Sequence, residues 1–228
     1  MEALREAFST GSMPKGRIET FSDGVIAVAI TLLVLEIKLP HPESVSPELL
    51  GSALIALFPK LLCYLVAFVF ITIWWVAHHQ LFQIIRRVDR GLLWLNSLFL
   101  MCLAFFPFPT ALLGEYYAQP FAAVVFGATA FTTGMTFWIM RWYVSVQAKL
   151  IDPDIPRELL RNGLRRGAMS PILYGMATII GWFRPTLALG LFVVIPFYYV
   201  IPGLLDKHRP GSMTDSNGAE SRIEGDKT

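Results

Sequence analysis

The chain has 228 residues, of which 54% are hydrophobic and 16% are charged, and its formal net charge at pH 7 is +2. Because soluble domains carry about 25% charged residues, this composition argues against a soluble protein and favours an all-α, polytopic membrane protein. The small net charge gives no reason to expect a nucleic-acid partner. Cys63 and Cys102 lie in apolar segments and form no CxxC pair, so packed free thiols are expected rather than a disulfide or a metal pair.

Six apolar segments are interpreted as membrane-spanning helices, since about 20 residues at ~1.5 Å per residue cross a hydrocarbon layer ~30 Å thick. Residues 1–16 are predicted to be a cytoplasmic tail, and residues 206–228 a disordered cytoplasmic tail. Residues 17–205 between them are predicted to be one six-helix transmembrane domain. The predicted helices occupy about residues 18–38, 60–83, 91–113, 119–142, 169–183 and 186–203.

Prolines and small residues modify these helices. Residues 48–58 are apolar but too short to cross alone, so they form either an interfacial helix or the start of the second span, with Pro59 as a helix-start or kink residue. Pro107 and Pro109 are expected to kink or end the third helix. The fourth helix is rich in small residues that allow close helix contact. These are Gly127, Ala128, Ala130 and Gly134.

The connector between the fourth and fifth spans, about residues 143–167, is strongly charged. It contains the sequence R-E-L-L-R-N-G-L-R-R at residues 157–166. This pattern predicts a short amphipathic helix lying at the membrane surface.

Lysine and arginine are distributed unequally between the two sides of the predicted helices. Sixteen fall in the tails and in the loops that share their side, against three on the other side. Because cytoplasmic loops carry an excess of basic residues, both termini are predicted to be cytoplasmic. The sixteen are Arg5, Lys15, Arg17, Arg86, Arg87, Arg90, Arg141, Lys149, Arg157, Arg161, Arg165, Arg166, Lys207, Arg209, Arg222 and Lys227, and the three are Lys38, Lys60 and Arg184.

Polar residues of three helices are predicted to meet at one depth near the cytoplasmic surface. Ser22 and Asp23 lie near the start of the first span, His78 and His79 near the end of the second, and Asn96 near the start of the third. Each is costly against lipid, so a hydrogen-bonded cluster that fixes the first helix is expected. A titrating His–Asp pair is the alternative. A metal site is disfavoured because adjacent helical residues point about 100° apart, and Ser22 has no Gly-x-Ser-x-Gly context for a nucleophile.

The first helix carries an apolar stripe formed by Val28, Leu32 and Leu35, with Thr31 at its edge. At about 100° per residue, Asp23 lies about 140° from Val28 and therefore faces away from the stripe. Such a stripe usually packs in a core or faces lipid. Repeated around a symmetry axis, it would form apolar rings that gate ions by dewetting, with threonine hydroxyls as polar pore groups.

The beginning of the first span resembles the signature of the transmembrane protein 175 potassium-channel family, R-x-x-x-F-S-D followed by an apolar helix with a threonine. Further agreement comes from W-W-V-A-H-H, D-R-G-L-L-W-L-N and P-F-P-T-A-L-L-G-E-Y, so the resemblance is specific over about residues 17–117. The signature residues are Arg17, Phe21, Ser22, Asp23 and Thr31.

The resemblance implies a homotetramer, as in bacterial members, in the plasma membrane of a bacterium. The first helix of each subunit would line a central pore permeated by K⁺, with Val28, Leu32 and Leu35 as the hydrophobic constriction and Thr31 influencing cation selectivity. Family members lack a T-V-G-Y-G filter, and this sequence has none. No cofactor, no enzymatic activity and no metal beyond permeating K⁺ is expected, and the lipid bilayer is the other partner.

Two other functions remain open at this point. A proton-coupled secondary transporter would use Asp23 and a histidine of the second helix, although no convincing internal repeat of the kind common in transporters is present. An intramembrane enzyme would need a catalytic constellation that the motifs do not supply.

Overall fold

The computed structural model of the chain describes residues 14–38, 50–147 and 150–205, which fold almost entirely into α-helices. Most of the two predicted tails, residues 1–13 and 206–228, lies outside the described residues. The packing up to Pro196 forms one compact unit, and residues 197–205 are the final turns of the last helix. The helices are α1 (Lys15–Leu35), α2 (Leu50–Ala56), α3 (Phe58–Ile84), α4 (Arg90–Phe105), α5 (Pro107–Glu115), α6 (Pro120–Val146), α7 (Arg157–Phe183) and α8 (Pro185–Leu205).

Four stretches of the described chain are long and apolar enough to cross a membrane: Lys15–Leu35, Phe58–Ile84, Arg90–Glu115 and Pro120–Val146. They correspond to the first four predicted spans, with ends that differ by a few residues. The apolar part of α8, Pro185–Phe197, is shorter. The all-α prediction is therefore confirmed, and the protein is a membrane protein with several spanning helices.

Prolines separate neighbouring helices at two points. The third span is divided at Phe106, and Pro107 begins α5. Leu57 separates α2 from α3, and Pro59 is the second residue of α3. Proline suits the first turn of a helix because the amide hydrogen it lacks would have no partner there. Residues 50–56 are thus a separate short helix before the second span.

The predicted surface helix of the 143–167 connector is instead the first part of α7, which runs without interruption from Arg157 to Phe183. The predicted fifth span, about 169–183, is its second part. One side of the early turns packs along α6, where the Trp138 indole Nε1 donates a hydrogen bond of 3.2 Å to the Leu164 carbonyl. The Arg141 guanidinium lies so close to Gly163 that a Cβ at that position would overlap it. This lateral packing keeps the charged turns in line with the apolar ones.

An aromatic core joins α3, α4 and α6. Phe70 stacks on Phe106 with ring centroids 4.4 Å apart, and Trp74 contacts both Phe99 (6.0 Å) and Phe137 (5.0 Å). Offset and edge-to-face aromatic pairs of this kind add to the energy of simple burial. Cys63 and Cys102 are also buried and unbridged, as the sequence predicted.

Small residues allow α6 and α7 to approach closely. A Cβ at Gly127 would overlap Thr178 Oγ1 and lie 3.0 Å from the Phe192 ring. A Cβ at Gly134 would lie 3.1 Å from Ser170 Oγ. Of the small residues predicted to allow close contact, Gly127 and Gly134 therefore lie against α7, Ala130 is buried, and Ala128 is exposed.

Gly127→Ala is expected to destabilise the protein, because the added methyl group forces Thr178 away from its hydrogen bond to the Tyr174 carbonyl (2.6 Å) or separates the helices. Overpacking of this kind costs about 1–3 kcal/mol, measured as a lower apparent melting temperature in detergent. Gly190→Ala is the control, because nothing lies within 4 Å of a Cβ there. Equal melting temperatures for the two variants would contradict the close helix contact.

Candidate functional site

One face of α1 is buried against the rest of its own chain. Its residues follow helical spacing, so they form a single stripe that packs against α3, α4 and α5. At about 100° per residue, this stripe is centred about 120° from Val28. The packing therefore fixes which side of α1 faces the rest of its own chain. The buried residues are Ile18, Ser22, Ile26, Ala29 and Leu33.

A buried chain of hydrogen bonds joins α1 to α3 through α4. The Asn96 amide Nδ2 donates to Ser22 Oγ at 3.0 Å, and Asn96 Oδ1 lies 2.8 Å from His78 Nε2. Ser22 is 0% exposed, and His78 and Asn96 are each 2% exposed. The structure thus brings together one polar residue from each of three predicted spans.

The side-chain amide of Asn96 determines which atoms donate and which accept in this series of hydrogen bonds. Because an amide oxygen only accepts hydrogen bonds, His78 Nε2 must carry the proton and donate it to Asn96 Oδ1. The imidazole stacks on Phe82 with centroids 4.3 Å apart and lies parallel to Phe99 at 5.9 Å. Aromatic faces and a donated hydrogen bond hold the ring in one orientation, which suits a positioning role.

Asp23 lies outside the buried chain. It is exposed and accepts a hydrogen bond of 2.9 Å from the Trp75 indole Nε1. Ser22 and Asp23 are neighbours, so they point about 100° apart on a helix and cannot face the same partner. His79 is also exposed, and its ring lies 3.2 Å from the Gln83 amide on its own helix. Of the two histidines, His78 is therefore the one that is linked to the α1 motif, through Asn96.

Sequence reasoning missed Trp75 as the partner of Asp23. The signal was present in the spacing, because Trp75 and His78 are three residues apart and residues with that spacing share a helix face. Consecutive α1 residues are thus bonded to two different helices, Ser22 to Asn96 of α4 and Asp23 to Trp75 of α3. The bond pins the aspartate near the start of α1.

Asp89 fixes the start of α4, and with it the height of Asn96. Its Oδ1 accepts from the Leu92 amide at 2.8 Å, which caps the helix, and its Oδ2 accepts from the Tyr143 hydroxyl at 2.7 Å. The preceding loop is held by an isolated antiparallel bridge between Ile85 and Ile151. Three helices and the 150–152 segment are thereby tied together at this end.

The predicted pore residues lie on the side of α1 that the rest of its own chain leaves uncovered. Val28 is 56% exposed, Leu32 41% and Leu35 68%, and Thr31 is exposed with its hydroxyl donating to the Val28 carbonyl at 2.9 Å. Arg17 and Phe21 of the sequence motif are exposed as well. The stripe is therefore not part of the core of a single chain. No group of three potential metal ligands is found among the described residues.

Comparison with known proteins identifies the family. A family model described as endosomal/lysosomal potassium channel TMEM175 matches residues 17–107. A protein from Streptomyces collinus named as a potassium channel is 37% identical over 188 residues, which cover 81% of this chain and 90% of that protein. The chain belongs to the TMEM175 family. The resemblance seen in the sequence is thereby confirmed, and the TMEM175 relatives are named as channels rather than enzymes.

A solved TMEM175 structure has the same fold. The crystal structure of a protein described as a lysosomal potassium-selective channel TMEM175 homolog from Chamaesiphon minutus matches with a TM-score of 0.75 and 34% identity, covering 82% of this chain and 97% of that one. The chicken relative, named endosomal/lysosomal proton channel TMEM175, is 26% identical over 83% of this chain but only 36% of its own length. The similarity to the bacterial relatives thus extends over nearly their whole length.

Asn96→Ala is expected to lower stability by about 1–3 kcal/mol, because it leaves the buried His78 and Ser22 groups without their partner. Ser97→Ala is the matched control, since Ser97 is exposed and bonds only to the Leu93 carbonyl of its own helix. Thermal unfolding in detergent measures both. If the two variants unfold at the same temperature, the buried chain does not hold α1.

Proposed function

We propose that this protein is a potassium-permeable cation channel that assembles as a homotetramer in the bacterial plasma membrane, with α1 of each subunit lining a central pore. One observation carries the proposal: α1 is fixed to its own subunit along one face, while an apolar stripe with one threonine stays uncovered. An uncovered stripe at a fixed angle is what a symmetric pore requires of its lining helix. The bacterial relatives named as potassium channels support the choice of ion.

In this proposal Val28, Leu32 and Leu35 form the hydrophobic constriction. The three residues span about 10 Å along the helix at ~1.5 Å per residue. Four copies of each would form successive apolar rings, and apolar rings of small radius resist the passage of hydrated ions by dewetting. The Thr31 hydroxyl lies at the same depth and would supply the polar contacts that influence cation selectivity. No T-V-G-Y-G filter takes part.

Six spans with both termini in the cytoplasm complete the proposed topology. The distribution of basic residues supports it. At the end assigned to the outside, Lys60 at the start of α3 pairs with Glu115 at the end of α5. In this topology α7 and α8 are the fifth and sixth spans, with the arginine-rich turns of α7 on the cytoplasmic side.

The proton-coupled transporter has less support. Such a mechanism needs Asp23 and a histidine to exchange a proton, yet no hydrogen bond of the described residues joins Asp23 to His78 or His79. Asp23 instead accepts a hydrogen bond from the Trp75 indole, which cannot exchange a proton at physiological pH. The potassium channel is accordingly the function that the site favours.

Val28→Asn is expected to raise leak current several-fold in bilayers, because a polar ring removes the dewetting barrier. Val34→Asn is the control. It is the same substitution on the same helix at a comparably exposed position, 50% against 56%, but about 120° away around the axis. Equal currents for the two variants at matched channel density would contradict the assignment of the pore face.

Thr31→Val removes a hydroxyl at nearly constant volume. The expected result is a weaker preference for K⁺ over Na⁺, because the valine ring offers no oxygen to a partly dehydrated ion. Bi-ionic reversal potentials measure this as a shift toward zero. Thr132→Val is the control, since Thr132 is also exposed and its hydroxyl bonds to its own helix backbone at Ala128. An unchanged reversal potential in Thr31→Val would remove Thr31 from the selectivity determinants.

A further inference from the structure

One exposed stripe runs along α7 from Arg161 to Met176 and changes from charged to apolar between Arg165 and Met169. At about 100° per residue, Arg161 and Arg165 lie within about 80° of Met169, Ile172 and Met176. All five are exposed, whereas the opposite side of the helix packs against the rest of the chain. The N-terminal part of the stripe is therefore cationic and the remainder is apolar. We call these five residues the α7 stripe.

The arginines of the α7 stripe are not neutralised within the described part of the chain. The two ion pairs found there are Lys15–Glu19 and Lys60–Glu115. Glu158 lies on the same side, one turn before Arg161; it is exposed, and no ion pair among the described residues involves it. The half-buried Arg141 lies over Gly163, on the opposite side of α7 from the stripe, so it does not add to the outward-facing charge. The two stripe arginines outweigh the single charge of Glu158, so the local charge of the stripe is positive and faces outward.

Helix geometry places this charge at a defined depth. At ~1.5 Å per residue, Arg165 lies about 6 Å and Arg161 about 12 Å before Met169 along the axis. The headgroup layer on each side of a bilayer is about 5–8 Å thick. If Met169 is the first residue in the hydrocarbon, Arg165 reaches the phosphates directly, and the long side chain of Arg161 reaches them from the aqueous side.

From this alignment we propose that the α7 stripe binds an anionic phospholipid of the inner leaflet. Arg161 and Arg165 would hold the phosphate, and an acyl chain would lie along Met169, Ile172 and Met176. The charge of the arginines complements an anionic headgroup, and the apolar continuation has the direction of a lipid chain. Neither free phosphate nor a soluble anion would use both halves. The proposal rests on α7 crossing the membrane with its arginines on the cytoplasmic side, as in the topology proposed above, and not on α1 forming the pore.

Native mass spectrometry of the full-length protein tests the proposal, with phosphatidylglycerol and phosphatidylcholine competing for binding. The wild type is expected to prefer phosphatidylglycerol, and Arg165→Gln to reduce that preference about fivefold. Arg166→Gln is the matched control, because Arg166 is the adjacent exposed arginine but points about 100° away. It is expected to change the preference less than about twofold. Arg165→Lys is expected to retain most of the preference for phosphatidylglycerol. This variant distinguishes the loss of a positive charge from misfolding as the cause of weaker lipid binding.

Several results would overturn the proposal. One is a wild type without a preference for phosphatidylglycerol, and another is an equal loss in Arg165→Gln and Arg166→Gln. Displacement of the bound lipid by excess inorganic phosphate would show that an anion alone fills the site. Dissociation of the oligomer in Arg165→Gln would show that this face contacts a second copy. Wild-type potassium current without lipid preference would overturn this proposal and leave the channel function intact.

Discussion

The hydrogen-bonded chain from Ser22 through Asn96 to His78 is the constraint on which the arrangement of α1 depends. Each of these groups is costly in an apolar environment unless it is paired. Each is paired because α1, α3 and α4 meet at one rotation and one height. A rotation of α1 by one residue position, about 100°, would break the bond to Asn96. These hydrogen bonds therefore select one rotation of α1 about its axis, whereas apolar packing alone would allow several.

That fixed orientation determines which side chains of α1 remain exposed. Ser22 and four apolar residues face the rest of the chain, and Val28, Thr31 and Leu35 lie on the uncovered side. Stability and proposed function are thus divided between two sides of a single helix. The bond from Trp75 to Asp23 adds a second restraint near the start of α1, about 140° around the helix from Val28 and therefore away from the proposed pore face.

The sequence predicted much of this because the relevant signals are local. Hydropathy and length gave the helices of the first four spans. Distance from the span ends placed Ser22, His78 and Asn96 at one depth. Depth alone did not show that Ser22, and not Asp23, joins the buried hydrogen bonds, because depth says nothing about the direction in which a side chain points. The partner of Asp23 depended on which face of α3 is turned toward α1. The sequence did not predict that α7 is continuous, because its arginine-rich first turns have the pattern of a helix lying at a membrane surface. Packing against Trp138 and Arg141 holds these turns in line with the apolar part of the helix.

A cryo-EM structure of the full chain in lipid nanodiscs tests most directly whether the buried chain turns the uncovered side of α1 toward a shared pore. The account predicts four subunits around one axis, with the Val28, Leu32 and Leu35 side chains of each pointing toward it and Ser22, Asn96 and His78 hydrogen-bonded within each subunit. Density that places Val28 and Leu35 against lipid, or α1 away from any symmetry axis, would contradict it.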